Sequence, residues 1–328
     1  MEKQDLRIVY MGTPDFAVAP LKALIENGYN VVGVVTMPDK PMGRHQSTLR
    51  SSAVGQYAKE LGLPLLQPER LKDPEFLKQL QDLRPQLQIV VAFRMLPEVV
   101  WALPPLGTFN LHASLLPQYR GAAPINWAII NGEQQSGVTT FFLQHDIDTG
   151  DIIEQATLPI GPDEDAGSLH DRLQQLGALL VVSTTQLILE GRATTHPQPS
   201  AGATLQPAPK IFKDTCRINW HDSSAHIHNL VRGLSPHPGA WTTLRQASAD
   251  VGTAREIKIF KTSLASAPTD APSSPSCGQL HVAHKKQLYV ACQDGWVEIL
   301  QLQPSGKRRM DASDYLRGLQ HPETWIME

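Results

Sequence analysis

Three runs near the N-terminus constrain the fold most: Leu6–Met11 (LRIVYM), Val31–Met37 (VVGVVTM) and Leu87–Phe93 (LQIVVAF). Each is apolar with no in-and-out alternation, as expected for parallel strands covered on both faces. Between the first two, Phe16, Ala17, Leu21, Leu24 and Ile25 recur at helical spacing and stop at Asn27-Gly28. The chain therefore starts as strand, helix, strand. Helices are expected over about Ser52–Leu61 and Pro74–Leu83, with a short strand at Leu65–Leu66. Phe109–His112 makes a fifth strand, Gly137–Gln144 and Asp151–Thr157 an antiparallel pair around a turn, and Ser168–Leu189 a long helix. This alternation predicts an α/β fold: a doubly wound, mostly parallel sheet with ligands at the C-terminal strand ends. The first strand runs into GTPDF rather than GxGxxG, which disfavours a nicotinamide enzyme.

At 328 residues the chain exceeds one ordinary core. Residues 191–210 (GRATTHPQPSAGATLQPAPK) carry four prolines, two glycines and little apolar bulk, the composition of a linker. The expected organisation is a catalytic domain over 1–190, this linker, and a smaller domain over 211–328. In the last part a helix at Ser224–Gly233 precedes short runs at Ile257–Phe260, Gln279–Val282, Leu288–Cys292 and Val297–Leu302. Short strands between turns predict a small β-barrel, with Ala265–Ser276 as a loop.

Composition narrows the function classes. No apolar run approaches the roughly 20 residues that span a bilayer, and no signal-peptide core follows the charged start, so a cytoplasmic protein with no membrane partner is expected. Cys216, Cys277 and Cys292 are odd in number and form no CxxC pair, which argues against a disulfide framework or a cysteine zinc site. The net charge is −3, but residues 211–328 hold 13 Lys+Arg against 11 Asp+Glu. That part is therefore +2 and the preceding part −5, a hint of a polyanionic partner for the C-terminal domain.

The stretch 109–133 (FNLHASLLPQYRGAAPINWAIINGE) interrupts an otherwise apolar strand with Asn110 and His112. Residues i and i+2 of a strand share a face. A neutral amide donates to a developing oxyanion without titrating, and an imidazole donates or moves a proton near neutral pH. Asp148, in HDIDTGD just past a strand, is the candidate to orient His112 and take the proton. On spacing alone, the pair reads more readily as turn-forming structural groups.

The words themselves say more. Asn110-Leu111-His112, Ser114-Leu115-Leu116-Pro117, Tyr119-Arg120-Gly121 and Asp148-Thr149-Gly150, in this order and spacing, closely resemble the folate-dependent formyltransferases. The resemblance runs over nearly the whole chain. It includes Met11–Ala17, Pro38–Arg44 (PDKPMGR), Ala123–Ala128, Lys210-Ile211, Ile218–Trp220, Ile227–Arg232, Pro236–Ala240 and Gly306–Met310, and is closest to the branch that acts on initiator methionyl-tRNA. It implies a Rossmann-like catalytic domain followed by an OB-like barrel that binds tRNA, and formyl transfer from 10-formyltetrahydrofolate to the methionine α-amine. Asn110 and His112 would stabilise the tetrahedral oxyanion, where one donor is typically worth about 3–4 kcal/mol. Asp148 would hold His112 and help carry the proton to the leaving folate nitrogen. No metal is implied, because the formyl group is already activated on nitrogen. Phe93, Arg94, Met95 and Leu96 would wall the pterin side, and Ser114, Leu115, Leu116 and Pro117 would seat the folate. Ser114 most simply satisfies the turn's backbone.

Two places depart from the family. Leu143 and Asp146 stand where a Met and a Gly often precede DTG, and Asp146 puts a second carboxylate near Asp148, which is expected to raise one of their pKa values and to border the folate. The loop after Pro38–Arg44 is less basic than usual. Arg44 is the candidate for the tRNA acceptor end, and Lys307, Arg308 and Arg309 for phosphate contact. His221, His226, His228 and His237 match no metal spacing and read as structural or surface groups. Trp220, Trp241 and Trp296 read as barrel core rather than stacking platforms. Two other readings compete: a formyltransferase for a small amine such as an aminosugar nucleotide, and a non-catalytic RNA-binding protein on the same scaffold. The tail beyond residue 200 disfavours the first, and the intact Asn110, His112 and Asp148 the second. A monomer is expected.

Overall fold

The structure is a computed structural model that describes residues 2–42, 48–199, 204–247, 254–264, 266 and 268–328. Its contacts divide the chain into two compact units. One comprises Met1–Pro124, Ser136–Leu158 and His170–Ala208; the other comprises Ile125–Gln135, Pro159–Leu169 and Pro209–Glu328. The pieces at 125–135 and 159–169, expected with the N-terminal part, have contacts that place them elsewhere. Asn126 Nδ2 donates to Gly233 O at 2.7 Å, and Arg232 Nη1 donates to Glu164 O at 3.0 Å.

The first unit opens with β1 (Arg7–Gly12), α1 (Val18–Glu26) and β2 (Asn30–Val35), followed by a hairpin of β3 (Lys40–Met42) and β4 (Thr48–Arg50). α2 (Ala53–Glu60), β5 (Leu65–Leu66), α3 (Pro74–Asp82), β6 (Leu87–Val91), α4 (Glu98–Trp101) and β7 (Thr108–His112) follow. The rest is β8 (Arg120–Gly121), α5 (Pro124–Ile130, mostly in the second unit), β9 (Gln135–Phe142), β10 (Ile152–Pro159), α6 (Ala166–Leu189) and β11 (Pro207–Ala208). The main sheet runs β10-β9-β7-β6-β1-β2-β5. Its β7, β6, β1, β2 and β5 pair in parallel, and β9 joins β7 antiparallel. The continuous apolar runs are the central strands, buried along their length as the absence of alternation requires. Local chemistry sets the helix starts: Ser52 Oγ accepts from Gly55 N at 2.9 Å, and Asp73 Oδ1 from Glu75 N at 2.9 Å before Pro74. Gly12 lets α1 close on the sheet, since a Cβ there would lie 2.7 Å from Ala17 Cβ.

Within the segment expected as a linker, described residues up to Ala208 make contacts inside the first unit. His196 and Ile152 exchange backbone hydrogen bonds of 2.8 and 2.9 Å, and β11 pairs with β8. Its prolines prevent a helix but leave carbonyls free to accept.

The second unit contains α7 (Ser224–Gly233), β12 (Ala240–Gln246), β13 (Arg255–Ser263), β14 (Leu280–Ala283), β15 (Gln287–Cys292), β16 (Gly295–Pro304), β17 (Met310–Asp311), α8 (Ala312–Leu316) and β18 (Trp325–Met327). Its sheet runs β14-β15-β16-β13-β12-β18, and the Gln279–Ile326 bridge returns β18 to the start of β14, closing a barrel. Ile227, Val231, Ile257, Ile259, Val290 and Leu302 fill its core. Trp220 lies in that core, with Nε1 donating to Thr242 Oγ1 at 2.9 Å. Trp296 belongs to a smaller cluster with Tyr289. Trp241 is only partly buried, flanked by Lys213 and Arg217 over its ring.

Candidate active site

β7 positions the first two groups. Phe109 and Leu111 point into the core, and Leu111 packs on α6 where Gly177 gives it room: a Cβ there would lie 2.7 Å from Leu111 Cδ2. Alternation then turns Asn110 and His112 to the opposite face at the strand's C-terminal end. Asn110 is partly exposed, and no described residue hydrogen-bonds its side-chain amide. His112 is buried; its Nε2 lies 2.8 Å from Tyr119 O. A carbonyl only accepts, so Nε2 carries the hydrogen. The other ring nitrogen, Nδ1, faces Asp148 Oδ2 at 3.8 Å, longer than a hydrogen bond.

Asp148 sits in the turn between β9 and β10. Its backbone takes a left-handed φ of 55°, tolerable for Asp. Gly121 N donates to its Oδ2 at 3.1 Å. Two glycines permit this arrangement. At Gly121, whose φ is 127°, a Cβ would lie 2.5 Å from Ala208 O, and at Gly150 one would lie 1.7 Å from Phe142 O. Thus Asp148, remote in sequence, is brought to His112, on the strand face that Asn110 shares. A neutral His112 turns a lone pair toward a carboxylate. A second proton, on Nδ1, would give Asp148 a cation to face.

The other expected residues separate. Ser114 is 0% exposed, and its hydroxyl donates to Gln118 O at 2.6 Å. Its hydroxyl is thus spent within the turn. Leu116 is 3% exposed and Leu96 8%, and Leu96 belongs to the core with Val9, Met11 and Val90. Leu115 and Pro117 are partly exposed, as is Phe93, and Met95 is 68% exposed. Arg94 Nη1 donates to Glu69 O at 2.8 Å and Nη2 to Pro68 O, which makes it a clamp on the loop after β5. Burial lowers its pKa from the ordinary arginine value. Asp146 is exposed at the turn, where its carbonyl accepts from Thr149 Oγ1 at 3.1 Å.

Arg44 lies outside the described residues. In the second unit, Lys307, Arg308 and Arg309 form an exposed turn between β16 and β17. Arg309 Nη2 donates to Gln301 Oε1 at 2.9 Å and its guanidinium lies over Phe260; the side chains of Lys307 and Arg308 have no partner among the described residues. His228 is buried, with Nδ1 2.9 Å from Thr262 Oγ1, and burial lowers its pKa. Among the described residues no group of three or more His, Cys, Asp or Glu gathers as a metal site, and no helix is long and apolar enough to cross a membrane. Sequence reasoning missed the backbone partners, Tyr119 O and Gly121 N, and also Gln198, which binds the Asp148 turn. Backbone atoms leave no residue-type signal, and Gln198 lies in a stretch whose composition speaks for a spacer.

The formyl transferase family matches residues 6–185, and the formyl transferase C-terminal domain matches residues 210–320. The chain is 57% identical to the methionyl-tRNA formyltransferase of Parabacteroides distasonis, over 97% of each chain. It is 52% identical to that of Bacteroides fragilis, over 100% of this chain and 99% of the other. Among solved structures, WlaRD, a sugar 3N-formyl transferase with dTDP and 5-N-formyl-THF, is 20% identical with a TM-score of 0.62, covering 94% of this chain and 100% of that one. HypX from Aquifex aeolicus in complex with tetrahydrofolic acid is 18% identical with a TM-score of 0.60, covering 94% of this chain; this chain spans 46% of HypX. At such identities the two structures establish shared fold alone.

Proposed function

Because the chain belongs to the formyl transferase family, we propose that Asn110, His112 and Asp148 are the groups with which it transfers a formyl group from 10-formyltetrahydrofolate to the α-amine of methionine esterified to initiator tRNA. The observation that carries the acceptor is the 57% identity to a methionyl-tRNA formyltransferase over 97% of both chains, barrel included. The amine nitrogen attacks the formyl carbon, the carbonyl oxygen becomes an oxyanion, and the bond from that carbon to the folate nitrogen breaks. The attacking nitrogen loses a proton and the folate nitrogen gains one.

The assignment of steps follows from donor availability. The Asn110 amide has no protein partner among the described residues, so it is the oxyanion donor. His112 keeps its Nε2 hydrogen on Tyr119 O and takes the ammonium proton at Nδ1. Asp148 stabilises the resulting imidazolium until the proton passes to the leaving nitrogen, and the cationic ring meanwhile supports the oxyanion. Leu115, Pro117, Phe93 and Met95 offer apolar surface for the folate. Lys307 and Arg308, and Arg44 by the family's pattern, take tRNA phosphates. The protein works in the cytoplasm as a monomer.

Incubation with 10-formyltetrahydrofolate and charged initiator tRNA, scored for formyl-methionine, tests this reading. Transfer to a small amine but not to the tRNA would overturn it.

A further inference from the structure

Two loops that form the site, 119–121 and 148–150, are remote in sequence, and one side chain outside both ties them together. Gln198 is 8% exposed. Its Nε2 donates to Asp148 O at 2.9 Å and to Gly150 O at 2.8 Å. Its Oε1 accepts from Arg120 Nη2 at 2.6 Å and from Nε at 3.1 Å. The amide's orientation is unambiguous, because carbonyls only accept and a guanidinium only donates. A carboxylate could not make the two donations, and a thioether of the same shape could make neither donation and would accept only weakly.

We propose that Gln198 is a positioning residue for formyl transfer, tying the Asp148 turn to the Arg120 loop so that the Asp148 carboxylate faces His112. This rests on the reading of Asp148 as catalytic. Every bond of the buried amide goes to one of the two site loops. Arg120 lies between Tyr119, whose carbonyl holds His112, and Gly121, whose N–H holds the Asp148 carboxylate. The carbonyl that Gln198 grips belongs to Asp148 itself, the residue held at a φ of 55°. Freeing that peptide lets the turn leave the left-handed conformation, and the carboxylate moves with it. None of the groups that Gln198 bonds is assigned to either substrate, so the step slows while binding stays.

The test is steady-state formyl transfer to initiator methionyl-tRNA by Gln198→Met and Gln198→Glu, with kcat expressed per folate-binding site. Both variants should lower kcat by about 10–100-fold, the order of loss that a small misplacement causes, with KM for both substrates within about twofold. Gln198→Met fills the same volume, so a packing role predicts rescue by Met and a hydrogen-bonding role predicts none. A kcat for Gln198→Met within about threefold of wild type, or a loss seen only in KM, overturns the proposal. If the Gln198 variants do not fold, Arg120→Met decides: a several-fold lower kcat at unchanged KM supports the role, and unchanged kcat overturns it. Asp148→Asn in parallel separates the two levels. Normal turnover there removes the catalytic assignment itself, whereas lost turnover there with normal turnover in Gln198→Met removes only the role of Gln198.

Discussion

Arg94 follows β6 and Asn110 lies inside β7, the strand paired with β6, and their side chains have opposite fates. The Arg94 guanidinium donates from Nη1 and Nη2 to the carbonyls of Glu69 and Pro68 and lies beside the Phe93 ring, with only its buried Nε left without a partner among the described residues. The Asn110 amide meets no described protein group. The resemblance assigns both to one site; the hydrogen bonds separate them. A polar side chain that its own fold satisfies holds structure, and one left open at a C-terminal strand end is available to substrate. The same contrast recurs in the barrel, where Arg309 is engaged by Gln301 while Lys307 and Arg308 are open.

Substitutions can break this contrast. His112→Ala removes the proton carrier and should lower kcat by about 10²–10⁴-fold in single-turnover assays. Asn110→Ala removes one oxyanion donor and should lower kcat by about 10²–10³-fold, with folate binding by calorimetry nearly unchanged. Lys307→Ala with Arg308→Ala should raise KM for the tRNA by about tenfold and lessen its salt dependence, while Arg309→Ala should do less. Arg94→Met should leave kcat within about threefold of wild type and reduce urea stability by about 1 kcal/mol, because an exposed and a partly buried carbonyl lose a charged donor. Ser114→Ala should reduce stability by about 1 kcal/mol with unchanged turnover. If Arg94→Met abolished turnover and Asn110→Ala did not, satisfaction by the fold would be a poor guide to function.

Most of the parallel sheet was legible because strands buried on both faces announce themselves as unbroken apolar runs. The elements missed lack such a signal. β8 and β11 are two residues each and pair across the chain from Arg120 to Pro207. β12 alternates buried Ala240, Thr242 and Leu244, of which only Leu244 is a large apolar residue, too few to stand out. β18, which closes the barrel, is three residues after a proline. Of the proposed site, the motif words rather than the residue types pointed to Asn110, His112 and Asp148, and they did not separate buried Ser114 and Leu116 from partly exposed Leu115 and Pro117. Which of four consecutive turn residues face inward depends on the backbone path, and SLLP carries no period that reveals it.

The most direct measurement is the single-turnover rate of formyl transfer to initiator methionyl-tRNA by Asp148→Asn, taken beside the calorimetric affinity for 10-formyltetrahydrofolate. A carboxylate that faces the His112 proton predicts a rate at least about 10²-fold lower with affinity within about twofold. A near-normal rate, or a weakened affinity at normal rate, would contradict the account.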